Sequence, residues 1–177
     1  IGEAQPWATG GPVAGCEDLD AGLAAVADTR PDSSVRNGMT AASLCLYVYT
    51  SGTTGLPKAG KLTHMRTQGM MRAFIAATFT NAADRVYICL PLYHGTGGLC
   101  GVGIALMTGA TIILRRKFSA TAFWDDVVDH GATVFVYIGE LCRYLVNHEE
   151  DPNETQHKIR LAFGNGLRPD VWPTLKQ

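Results

Sequence analysis

The stretch "YVYTSGTTGLPKAGKLTH" runs from Tyr47 to His64. A β-favouring run over Leu44–Tyr49 leads into it. The nine positions from Thr50 to Lys58 then hold four hydroxyl side chains, two glycines and one lysine. This composition suits a polyphosphate. Glycines let the backbone turn so that several N–H groups converge on an anion. Hydroxyls donate to phosphate oxygens, one can ligate Mg²⁺, and a lysine adds a compact positive charge. Two standard phosphate motifs fail here. A Walker A loop counted from Gly52 meets Pro57 at its second glycine position and Ala59 where Ser or Thr is required. The dinucleotide pattern nearly occurs at Gly164-Asn165-Gly166-Leu167-Arg168-Pro169, but it ends in proline and has no acidic ribose partner about 20 residues on.

Outward from this loop the pattern is regular. Short apolar runs at Leu44–Tyr49, Val86–Leu90, Thr111–Leu114, Thr133–Ile138 and Ile159–Phe163 read as strands covered on both faces. Helical spacing lies between them. His64–Thr78 places Met70, Met71, Phe74 and Ile75 on one face, Ala120–His130 follows the N-cap Ser119, and Gly139–His148 sets Leu141, Tyr144 and Leu145 in line. Alternating strands and helices predict an α/β fold with a mostly parallel sheet flanked by helices. Residues 1–43 read as a connecting segment with one short helix, Leu19–Ala27, and residues 44–177 as the α/β layer. The loops "TSGTTG", "PLYHGTGG", "GELCRY" and "GNGLRP" each follow a predicted strand. If all four strands share one parallel sheet, these loops share its carboxyl edge, where ligands bind.

Composition narrows the classes. The 177 residues are 46% hydrophobic and carry a net charge of −1, which is globular and gives no basic footprint for nucleic acid. Five cysteines, Cys16, Cys45, Cys89, Cys100 and Cys142, contain no C-x-x-C and read as reduced, buried thiols of a cytosolic protein. Leu99–Leu114 is uncharged but short of a bilayer span and interrupted by glycines, so a buried helix, a turn at Gly109 and a strand are expected. The first residue is Ile1, no signal peptide is visible, and a fragment of a longer protein is expected.

"YTSGTTGLPK" resembles the phosphate-binding signature of the adenylate-forming superfamily, which includes acyl-CoA synthetases, luciferases and peptide-synthetase adenylation domains. "LPLYHGTGG" resembles its second signature. "KFSATAFWDDVVDHGATVFVYIGELCRYLVN" and "HKIRLAFGNGLRPDVW" resemble the fatty-acid transport protein branch, the very-long-chain acyl-CoA synthetases. The resemblance spans residues 44 to 177. It implies a reaction in which a fatty acid and ATP give acyl-AMP and pyrophosphate, and CoA then displaces AMP. It assigns Thr50, Ser51, Gly52, Thr53, Thr54, Gly55 and Lys58 to the ATP phosphates, with Thr53 helping to hold Mg²⁺, and Gly164, Asn165 and Gly166 to the turn before the adenine pocket. His94 and Lys58 become the catalytic candidates. Tyr93 and His94 would lie near the acyl carboxylate and the α-phosphate. Tyr137, Ile138 and Gly139 would line the acyl tunnel, with Gly97 and Gly98 leaving room for the chain. It also implies that later nucleotide-binding motifs and a C-terminal domain with a catalytic lysine lie outside this chain, so the fragment alone should be nearly inactive. Fatty acid, CoA and the rest of the parent enzyme are the expected partners. Peripheral membrane association and a homodimer are compatible with the same reading.

Other residues have simpler readings. Glu140 and Arg143 read as structural, since a helix-start carboxylate and a helical arginine usually cap or pair. His130, His148 and His157 read as solvated, and Met70, Met71, Trp124 and Trp172 as packing. A non-enzymatic module that binds a nucleotide or a fatty acyl group remains the alternative to an enzyme fragment. A peptide-synthetase-like activity on amino acids is disfavoured by "YIGELCRYL".

Overall fold

The structure is a computed structural model that describes residues 5–50 and 58–175, with only the backbone of Thr50. Contacts divide the chain into two units, Ile1–Met39 and Thr40–Gln177.

In the first unit, β1 (Trp7–Ala8) pairs in parallel with β2 (Glu17–Asp18), and α1 (Leu19–Ala24) follows directly. Asp18 caps α1 by accepting from the Ala21 N–H. Asp20, in its first turn, accepts from Thr9 Oγ1 at 2.7 Å and from the Gly10 N–H at 2.8 Å. The helix stops three residues short of the Leu19–Ala27 expected from sequence.

The second unit carries the α/β layer. β5 (Arg85–Ile88), β6 (Thr111–Leu114), β7 (Val134–Ile138) and β8 (Leu161–Asn165) form a four-stranded, fully parallel sheet in the order β6-β5-β7-β8. Strand order reverses between β5 and β7, because the chain passes from β5 outward to β6 and then back across to β7. The carboxyl ends of β5 and β7 therefore flank a topological switch point. Parallel strands need crossovers, and the sequence supplies them as α3 (Gly103–Thr108) and α4 (Ala120–Asp129), while α5 (Gly139–Val146) follows β7. Ser119 caps α4 by accepting from the Ala122 N–H, as its position in the sequence predicts. Val86, Ile88, Val134 and Val136 are fully buried. Phe123 of α4 meets Tyr87 and Phe135 with ring centroids 5.4 and 4.8 Å apart.

One strand departs from expectation. β3 (Leu44–Thr50) lies outside the parallel sheet and pairs antiparallel with β4 (Lys58–Thr63), which sequence reading did not identify as a strand. The reason is length: a parallel return needs a crossover of a dozen or more residues, and only residues 51–57 separate these strands. Three of the four predicted loops, not four, thus leave the carboxyl edge of the parallel sheet. α2 (His64–Thr78) continues from β4, capped by Thr63, and ends with Phe79 in the left-handed region at φ 52°.

The amino edge of the parallel sheet is tied by charge. Asp84, Thr133 and Arg160 stand immediately before β5, β7 and β8. Asp84 is 4% exposed, accepts from Thr133 Oγ1 at 2.7 Å, and receives Arg160 Nε and Nη2 at 3.0 and 2.6 Å. The Arg160 guanidinium holds its carboxyl at about 2, well below the ordinary value. Arg160 also donates to the carbonyl of Thr78, fastening the end of α2 to β8.

The uncharged stretch forms a π-helical segment over Thr96–Val102, then α3, a turn at Gly109 and β6. Among the described residues no helix is long and apolar enough to cross a membrane. Cys89, Cys100 and Cys142 are buried free thiols, whereas Cys45 is exposed and Cys16 half-buried. Arg143 and Glu140, expected to be structural, form an i,i+3 ion pair with each other. His157 is not a solvated residue but half-buried, with its ring stacked on Trp124 at 5.4 Å.

Candidate functional site

The site begins where β5 ends. Cys89 and Leu90 remain buried, then Pro91 to His94 turn outward into solvent. The His94 N–H donates to the Pro91 carbonyl and the Gly98 N–H to the His94 carbonyl, so helical geometry starts within the turn. The π-helical segment then follows; such wide turns are rare and concentrate at functional sites. Two glycines permit it to start there. A Cβ on Gly97 would sit 3.0 Å from the Leu90 carbonyl oxygen, and one on Gly98 would run into the Leu92 carbonyl. The space left by their missing side chains is therefore filled by the protein's own backbone.

A groove of about 420 Å³ opens beside this turn. Leu46, Tyr47 and Val48 of β3 form one side, Leu92, Tyr93 and His94 another, and Gly98, Leu99 and Val102 of the helix complete it. The lining is mostly apolar, with the phenol groups of Tyr47 and Tyr93 and the imidazole of His94 as its polar side-chain groups. Tyr93 is 87% exposed at the rim.

A hydrogen-bonded chain connects this turn to the end of β8. The Thr96 N–H donates to Nδ1 of His94 at 3.3 Å, and Asn165 Nδ2 donates to Thr96 Oγ1 at 3.1 Å. Asn165 reaches over the end of β7, since Ile138 of β7 is its register partner. Loops after β5 and β8 are thus joined across the switch point. Gly139 starts α5 so close to Gly166 that any Cβ on it would run into the Gly166 carbonyl oxygen, while Gly166 itself has φ 70°.

The predicted residues divide accordingly. Tyr93, His94 and Gly98 line the groove, and Gly97 is buried behind it. Gly164, Asn165 and Gly166 meet Tyr137, Ile138 and Gly139 at the carboxyl edge, with Tyr137 paired to Gly164 and Ile138 to Asn165. Tyr137, Ile138 and Gly139 do not line the groove that Tyr93 and His94 flank. Burial, with a smaller contribution from Cys142, pushes the Tyr137 phenol above its ordinary value. Thr50 ends β3 opposite Lys58, the first residue of β4. Ser51, Gly52, Thr53, Thr54 and Gly55 lie outside the described residues, so the Mg²⁺ assignment to Thr53 lies there too. Among the described residues no cluster of three or more His, Cys, Asp or Glu could hold a metal ion.

Sequence reading missed Thr96 and the β3 wall. Thr96 carried a signal, as the one aliphatic hydroxyl in Leu90–Gly98. Leu46 and Val48 carried none, because their apolar character is equally that of a core strand.

The family model described as "AMP-binding enzyme" matches residues 6–177, a range that also takes in most of the first unit. The chain is 45% identical over 168 residues to the mouse protein named long-chain fatty acid transport protein 3, covering 94% of this chain and 25% of that one. It is 52% identical over 126 residues to human long-chain fatty acid transport protein 1, covering 71% of this chain and 20% of that one. It spans about a quarter of the length of the curated relatives it matches. Among solved structures, ATP-bound MatB from Rhodopseudomonas palustris shares its fold with a TM-score of 0.69 at 24% identity, over 77% of this chain and 27% of MatB. The O-succinylbenzoate coenzyme A synthetase MenE of Bacillus subtilis, in complex with AMP, gives 0.67 at 22% identity, over 78% of this chain and 35% of MenE. With a matching family model over nearly its whole length, and an α/β layer whose fold solved structures share, this chain belongs to the AMP-binding enzyme family.

Proposed function

We propose that this chain is the phosphate-loop-bearing part of a fatty acid–CoA ligase. The observation that carries the reading is the groove beside the turn after β5: β3 forms its apolar wall and leads directly into Ser51–Gly55, while Tyr93 and His94 stand on its rim. Relatives named for long-chain fatty acid transport support a fatty carboxylate as substrate.

In the first half-reaction a carboxylate oxygen attacks the α-phosphorus of MgATP. The bond from that phosphorus to the bridging oxygen breaks, and pyrophosphate leaves with the electron pair, giving acyl-AMP. In the second, the CoA thiolate attacks the acyl carbon and AMP leaves. The first step brings two anions together, so positioning and charge neutralisation are the catalytic tasks. Lys58 and the hydroxyls and N–H groups of Thr50–Gly55 would take the phosphates, and Thr53 would help hold the Mg²⁺ that accompanies ATP and offsets its charge. His94 faces the reacting oxygens, and the apolar wall takes the first part of the acyl chain. Asn165 and Gly166 stand at the entrance to the adenine side.

Fatty-acid-dependent ATP–pyrophosphate exchange by the full-length protein tests this directly. Exchange that requires a long-chain acid is the expected result, with little or none from residues 1–177 alone. Saturable binding of nucleotide or acyl chain by the full-length protein, without exchange for any acid, would make it a binding module.

A further inference from the structure

The hydrogen bonds around Thr96 go further, and what they imply rests on the ligase reading above. A backbone N–H can only donate. Nδ1 of His94 lies 3.3 Å from the Thr96 nitrogen and is therefore the acceptor. In the neutral ring the proton then sits on Nε2. His94 lines the groove, and Nε2–H is the donor this ring has left to offer a ligand there. A donor suits an oxygen that carries or gains negative charge, such as the attacking carboxylate or an α-phosphate oxygen.

The bond works only if the 94–96 turn keeps its shape, and one side chain outside the turn holds it. Thr96 is 7% exposed, and its Oγ1 accepts from Asn165 Nδ2 at 3.1 Å. Asn165 is anchored in turn as the last residue of β8, in register with Ile138. The sheet thereby fixes the turn from a strand that is not adjacent to β5. The glycines on either side of Thr96 could not do this: neither Gly95 nor Gly97 has a side chain to tether.

We propose that Thr96 is the positioning residue of this site: tethered by Asn165, it keeps Nδ1 of His94 as an acceptor and so presents Nε2–H to the reacting oxygen. Thr96 touches no reacting atom in this scheme. It acts through His94.

The experiment uses the full-length protein with Thr96→Val, Thr96→Ser and Asn165→Ala. Valine keeps the shape and removes the acceptor. Thr96→Val should lower kcat of fatty-acid-dependent ATP–pyrophosphate exchange about tenfold, the size of one such bond, with KM for ATP nearly unchanged. Thr96→Ser should restore the rate. Asn165→Ala, at an exposed position, should reproduce the kcat loss. Nitrogen-15 spectra of the labelled His94 ring should show the proton on Nε2 in the wild type and a mixture of tautomers in Thr96→Val. A wild-type ring protonated on Nδ1, or a folded Thr96→Val with wild-type kcat, overturns the proposal. A loss equally severe in Thr96→Ser also overturns it. If the wild type gives the Nε2–H tautomer and the valine variant loses it, yet no acid supports exchange, the positioning stands and the ligase reading falls instead.

Discussion

Arg160 Nη2 lies 2.6 Å from Asp84 Oδ2, joining the residue before β8 to the residue before β5 across the amino end of β7. The pair sits on the sheet edge opposite the groove. It is a structural clamp, and its chemistry gives a pH dependence.

The carboxyl of Asp84 is held at about 2 in the folded chain against an ordinary value of 3.8. The folded state thus binds this proton less tightly than the unfolded chain. The resulting stability is fully present above about pH 5 and is lost as pH falls through about 4 towards 2. It amounts to about 2 kcal/mol. Denaturant unfolding at pH 7 and pH 3 should show about half of this loss, roughly 1 kcal/mol, and Asp84→Asn, less stable at pH 7, should show a smaller one. An identical acid loss in Asp84→Asn would assign the effect to other carboxylates.

Two glycine substitutions should move stability in opposite directions. Gly139→Ala drives a methyl into the Gly166 carbonyl, between backbone segments that cannot easily yield. It should cost about 1–3 kcal/mol. Gly69 lies exposed within α2, and a methyl group added to it would meet no atom within 4 Å. Gly69→Ala should therefore stabilise by about 1 kcal/mol. Paired chemical denaturation curves measure both.

Lys58 is exposed at the start of β4, opposite Thr50. If it serves phosphate, Lys58→Ala in the full-length protein should lower the exchange rate by roughly a hundredfold and shift Tm by only about 2 °C. A large fall in Tm would make Lys58 a structural residue.

The thiols should react in a fixed order. Burial pushes Cys89 up to about 12 and Cys142 up to about 11, so neither forms much thiolate at neutral pH. Cys45 is exposed on β3. Alkylation at pH 8 followed by peptide mapping should label Cys45 first, with Cys89 and Cys142 protected until denaturant is added. Early labelling of Cys142 in the folded protein would contradict its burial.

Local sequence specifies the strands of the parallel sheet and the helices between them, because side-chain periodicity and cap chemistry act over a few positions. Val86–Leu90 and Thr133–Ile138 are legible as buried strands from their own letters. Which strand pairs with which is settled by the three-dimensional fold alone. β3 reads like a strand of the parallel sheet, yet its short connection commits it to β4. The link from Asn165 to Thr96 joins residues 69 positions apart, and the clamp from Arg160 to Asp84 joins residues 76 apart. No local pattern encodes such contacts. They exist because parallel β5, β7 and β8 bring distant strand ends to common edges, one holding the clamp and the other the groove.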